Sequence, residues 1–239
     1  RYRLVGSEMC IRDRLKSSLS IAMAALMSLS MFAHAGEAVA DDHGGMSVSY
    51  NIGYMSEYWY RGVFQEQSAV SFGADAEMGS FYIGTWMADV AEGIEMDVYA
   101  GFNFELMGFP MYLGATGYYY SDNFDGDYEE MNTGIDLGFA SIDYAFAGTF
   151  EALTTGVESD YEHFTITVPL PMTAFDFTYG TFQDELTGHY YELSYGTTVS
   201  GVDVGLVLGR NSDDSTASDY YVGSEADTTY ATFSLGYSF

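Results

Sequence analysis

From Met46 to the C-terminus the chain repeats one unit: about ten residues in which apolar and polar side chains alternate, followed by Gly, Asn, Asp or Pro. A two-residue period places successive side chains on opposite faces of a strand. The last segment, residues 228–239, is the cleanest. Ala231, Phe233, Leu235, Tyr237 and Phe239 share one face; Thr232, Ser234, Gly236 and Ser238 share the other. Residues 202–209 set Val202, Val204, Leu206 and Leu208 against Asp203, Gly205, Val207 and Gly209. Farther up the chain, Ile142, Tyr144, Phe146 and Phe150 oppose Asp143, Ala147, Thr149 and Glu151. The pattern predicts twelve strands and no convincing helix. The segments near 47–61, 69–78, 81–89 and 111–120 are noisier, with aromatics on both faces.

The connections alternate as well. Gly79-Ser80, residues 107–110, Ala140-Ser141, residues 169–171 and Ser200-Gly201 are short. Longer, acidic stretches fall at about 62–68, 89–95, 121–130, 152–161, 183–188 and 210–227. Tilted strands of ~10 residues span a bilayer, and outer-membrane barrels join an even number of them by short periplasmic turns and longer outer loops. The predicted fold is therefore all-β: a transmembrane antiparallel up-and-down β-barrel of about 12 strands. A soluble sandwich also alternates, but its polar face normally includes Lys, which is absent after Lys16. Aromatic clusters at 58–60, 118–120, 190–191 and 220–221 are expected at the membrane–water boundary, where amphipathic rings settle.

Residues 15–40 read as a signal peptide. Lys16 precedes an apolar run at 21–33 that is too short for a membrane helix of ~20 residues. Cleavage is expected after Ala40, with Ala35 as the other small-residue site. Residues 1–14 resemble translated sequencing adapter and include Cys10, the sole cysteine. The expected division is 1–14 non-native leader, 15–40 signal peptide and 41–239 one barrel domain. Beyond residue 40 only Arg61 and Arg210 stand against 32 acidic residues, a net charge of −30. Such a chain repels nucleic acid, whose binding needs Lys and Arg at phosphates, and attracts cations. With 17% aromatic residues it is not a disordered acidic tail.

Two motifs add a family resemblance. Residues 56–63, SEYWYRGV, are similar to the S-x-Y-x-x-R-G-x stretch near the mature start of TorF-type porins. Residues 79–86, GSFYIGTW, resemble their G-x-[FY]-[YV]-x-G-x-W segment. Gln65 and Glu66 depart from the Ser- or Asn-containing turn that resemblance implies. Phe233, Leu235, Tyr237 and Phe239 resemble the C-terminal signal read by the barrel-assembly machinery. The resemblance implies an exported outer-membrane protein of a Gram-negative bacterium, contacting lipid and passing small solutes.

If the apolar face meets lipid, the opposite face lines the lumen. The expected pore-lining set is Glu57, Arg61, Asp75, Glu77, Asp97, Glu105, Asp136, Asp143, Glu151, Asp176, Glu192 and Asp203. Carboxylates lining a narrow pore favour cations. Arg61 is expected to pair with Asp75 or Glu77, or across the lumen. Passive diffusion of cationic or neutral solutes is the expected function. The alternative is a closed structural or adhesion barrel with outer loops bridged by divalent cations. The acidic loop 122–127 lacks the ligand spacing of a calcium loop. A Ser/His hydrolase has no G-x-S-x-G here, so no enzyme, cofactor or resident metal is expected.

Overall fold

The computed structural model describes residues 45–122, 124–152, 156–212 and 226–239. Twelve strands follow one another: β1 (Met46–Tyr60), β2 (Val63–Met78), β3 (Phe81–Val90), β4 (Gly93–Leu106), β5 (Phe109–Tyr120), β6 (Tyr128–Asp136), β7 (Ser141–Ala152), β8 (Val157–Pro169), β9 (Phe175–Asp184), β10 (His189–Val199), β11 (Val202–Asn211) and β12 (Thr229–Ser238). Each strand pairs with its chain neighbours, and β12 returns to β1 through antiparallel partners such as Asn51 with Ser238 and Met55 with Ser234. The sheet is therefore a closed barrel with no edge.

The predicted alternation sets the two surfaces. On β12, Tyr230, Thr232 and Ser234 are buried inside, while Phe233, Leu235 and Tyr237 stand outside. Ile52, Val70, Phe72, Val98, Phe102, Leu113, Phe177 and Leu206 continue an exposed apolar band around the outside. A band this extensive is a surface for lipid or protein rather than water.

Inside, tyrosine rings lie over glycines paired with them on the neighbouring strands. A Cβ on Gly180 would stand 2.3 Å from the Tyr190 ring, and one on Gly209 would stand 2.1 Å from the Tyr230 ring. These glycines leave room for the rings; they do more than keep the lumen face small.

Three expectations change. Residues 62–68 and 89–95 are not loops. β2 starts at Val63 and β4 at Gly93, so Arg61-Gly62 and Ala91-Glu92 form two-residue turns between strands that run on. A β-bulge between Tyr58 and Trp59 shifts the register there and blurs the two-residue period. Second, β7 bulges between Ala145 and Gly148, with Ala147 at φ 54°. The faces swap beyond it: Phe150 points inward at 4% exposure, and Glu151 joins Thr149 on the exposed side. Third, the aromatic clusters are not simply a boundary belt. Tyr58, Tyr118 and Tyr190 are buried inside the barrel, whereas Tyr191 is 45% exposed. The adapter-like leader, Cys10, the signal segment, Tyr220-Tyr221 and most of the 210–227 stretch lie outside the described residues.

Candidate functional site

The site is built at the barrel end away from the termini, where the β1–β2 hairpin ends. Arg61 and Gly62 have φ of 51° and 75°. Positive φ at both central residues is the tight hairpin geometry that matches strand twist. The tip reaches across the barrel mouth. Asn211 Nδ2 on β11 donates to the Gly62 carbonyl at 3.0 Å. A Cβ at Gly62 would meet Tyr190 on β10 at 2.7 Å, so the position needs glycine for contact as well as for φ.

Arg61 points to the far wall. Its two terminal nitrogens donate to Glu130 on β6 at 2.8 and 2.7 Å, a bidentate fork. β1 and β6 are five steps apart in a ring of twelve, so the pair nearly spans the lumen. The Glu130 side chain is 0% exposed and that of Arg61 is 10% exposed. Glu130 also accepts from Tyr118 (2.9 Å), Tyr161 (2.7 Å) and Asn132 (2.6 Å). The Tyr60 hydroxyl meets that of Tyr118 at 2.7 Å, and the Arg61 guanidinium lies 4.8 Å from the Tyr60 ring centre. Isolated burial of either charge would be costly; paired and saturated with donors, both are tolerated.

Aromatic rings fill the rest of this level. Tyr118 stacks on Tyr128 at 4.5 Å, Phe150 meets Tyr128 edge-on, and Trp59 stacks on Tyr230 at 4.0 Å. Glu95 and Asp97 of β4 face the same interior, 1% and 4% exposed.

The expected residues divide among several environments. Asp75 accepts from the Tyr99 hydroxyl and, at 3.5 Å, from Asn51. Asp143 accepts from Tyr112 at 2.9 Å, Glu192 from Tyr230 at 2.7 Å, and Asp203 from Thr198 at 2.5 Å. Asp97 pairs in register with Trp86. Glu77 and Asp176 are half-buried in the interior phase of β2 and β9. Glu57 accepts from the Trp59 indole at 2.9 Å beside the bulge. Asp136 caps the β6–β7 turn through Gly138 N at 2.7 Å. Glu105 is exposed at the rim. Glu151 is not on the interior face, because of the β7 bulge. Arg61 takes the cross-lumen partner rather than Asp75 or Glu77, and it sits in a turn rather than within a strand.

Glu130, Glu95, Tyr118 and Tyr161 are the residues sequence reasoning missed. Glu130 does continue the inward phase of Asn132 and Gly134 two residues earlier, but it fell in a stretch read as loop. His163 is buried, stacked on Tyr190, with Thr165 at 3.4 Å. Among the described residues no group of three His, Cys, Asp or Glu side chains is arranged to hold a metal.

Known proteins of similar shape are membrane barrels. The KdgM porin in complex with disordered oligogalacturonate matches with a TM-score of 0.51 and 10% identity, over 80% of this chain and 99% of that one. Another KdgM porin structure gives 0.49 and 9%, over 80% and 98%. Outer membrane phospholipase A from Escherichia coli gives 0.41 and 11%, over 83% and 92%. At such identities the likeness concerns the fold. No curated protein matches the chain. The sequence model of a bacterial protein family of unknown function, Gcw_chp, matches residues 39–238, and the chain belongs to that family.

Proposed function

We propose that this protein is an outer-membrane diffusion channel for small cationic or neutral solutes. One observation carries the reading: a closed barrel with an apolar exterior keeps Asp75, Glu77, Asp97, Asp143, Asp176, Glu192 and Asp203 on its interior face. Carboxylates around a narrow bore raise the local cation concentration and repel anions. Oligogalacturonate, held by the similar KdgM porin, is a polyanion, so that ligand is not carried over. The reading includes export through residues 15–40, a barrel domain at 41–239, lipid on the outside and recognition of Phe233, Leu235, Tyr237 and Phe239 by the assembly machinery. It also includes the finer TorF-type assignment and no enzymatic role.

Purified, refolded protein in planar bilayers under a salt gradient tests it. Discrete conducting steps with a cation-favouring reversal potential are expected. An anion-favouring potential would overturn the carboxylate argument.

A specific observation favours a second reading. The Arg61–Glu130 pair and its aromatic layer cross the lumen, as in a closed structural or adhesion barrel whose acidic outer loops bind divalent cations. If folded wild type and Arg61→Ala are both silent in bilayers, this second reading replaces the first. If only the variant conducts, the layer is a removable constriction.

A further inference from the structure

We propose that Glu95 and Asp97 form a seat for a calcium-class divalent cation on the inner wall of the barrel. The two residues are two apart on β4, so both side chains project inward. Each is more than nine-tenths buried. Glu95 Oε1 accepts from the Tyr120 hydroxyl at 3.3 Å. Glu95 Oε2 and Asp97 Oδ1 receive no donor of their own, and the two carboxyls stand close to each other and to the Tyr58 hydroxyl.

Arg61 lies within electrostatic reach of Asp97, but among the described residues no Arg or Lys forms an ion pair with either carboxylate. Among the described residues the basic side chains are Arg61 and Arg210. Arg61 is engaged in its fork with Glu130, and Arg210 pairs with Asp227 at an exposed position. Asp125 of the β5–β6 connection lies within electrostatic reach of Glu95 and adds negative charge. Buried carboxylates are retained where a cation offsets them.

The donor set selects the ion. It is all oxygen: two carboxylates, with the phenols of Tyr120 and Tyr58 beside them. Hard oxygen donors suit calcium rather than zinc or copper. Three carboxylates do not converge, so water completes the shell, and affinity falls in the weak extracellular range of ~0.1–1 mM. The seat does not depend on conduction, so its failure and failure of the channel reading are separable.

Terbium tests the proposal in the refolded full-length chain. Trp86 pairs in register with Asp97, and its ring meets Tyr58 edge-on at 5.6 Å, so both rings can sensitise a lanthanide seated there. Saturable luminescence is expected, displaced by Ca²⁺ but not by Na⁺ of equal ionic strength. It should fall about tenfold in Glu95→Gln/Asp97→Asn and persist in the loop variant Asp122→Asn. Equal signals from wild type and the double variant would overturn the seat and leave the ion on the loops. No signal in wild type would also overturn it, leaving carboxylates that share a proton. Should the double variant fail to fold, Glu95→Gln alone decides: loss of the Ca²⁺-dependent rise in thermal midpoint supports the seat, and retention of that rise overturns it.

Discussion

The two ends of the lumen are lined by the same strands and yet differ in kind. Near the termini, β1 presents Ser49, Asn51 and Gly53, and β12 presents Ser238, Gly236 and Ser234. At the other end the same strands present Tyr58, Tyr60 and Tyr230. β6 runs from Gly134 and Asn132 to Glu130 and Tyr128 in the same way. The two-residue phase holds apart from the bulges, while on these three strands side-chain volume rises toward the far end; on β3 and β5 the buried Tyr82 and Tyr112 instead lie nearer the terminal end. Period decides which face is inside; volume decides whether the inside is open. The crowded end is also where an ion pair is stripped of water, whereas Asp75 and Asp143 accept from neutral donors, the first from Tyr99 and Asn51 and the second from Tyr112.

That contrast can be attacked from both ends. The largest effect should come from Glu130→Ala, which leaves Arg61 buried and unpaired. A loss of about 3–5 kcal/mol is expected from unfolding in urea with lipid or detergent. Tyr161→Phe removes one of the donors on Glu130 and should cost about 1.5–3 kcal/mol in the same assay. Gly209→Ala places a methyl group against Tyr230. It should cost about 1–3 kcal/mol by overpacking and lower the thermal midpoint, with a matching change in near-ultraviolet circular dichroism. Glu77→Gln at the terminal end should leave stability within about 0.5 kcal/mol. Its effect belongs in the reversal potential, shifted away from cations. If Glu77→Gln destabilised the barrel as much as Glu130→Ala, the distinction between the two ends would fail.

The strand order, the barrel class and the inward phase of β9 through β12 were legible, because a strict period of two survives wherever the backbone is regular. Two bulges erased it locally. At Tyr58/Trp59 the clustered aromatics read as a boundary belt, although Tyr58 packs inside. At Ala145/Gly148 the phase inverted, so Glu151 was assigned to the wrong face. The two-residue turns at 61–62 and 91–92 were hidden because polar residues that continue a strand look like loop; Gln65, 2% exposed, is the plainest case. Arg61 was legible as an unusual inward cation. Its partner was not, since which carboxylate faces it depends on sheet curvature, and period carries no curvature. Glu95 and Glu130 were both lost to stretches taken for loops.

The separation of Arg61 and Glu130 also constrains the order of events during assembly. Their bond spans 69 residues of sequence. It cannot form in a growing flat sheet, where β1 and β6 stand on the same surface about five strand spacings apart, ~24 Å. It needs the first six strands to curl through roughly half a turn. It does not need β12 to have met β1. The fork is thus a marker of curling, available before ring closure, and its long sequence span makes it a late, slow contact relative to any single hairpin. A nascent barrel of this sequence would carry both charges exposed until that curl, and bury them together in one step.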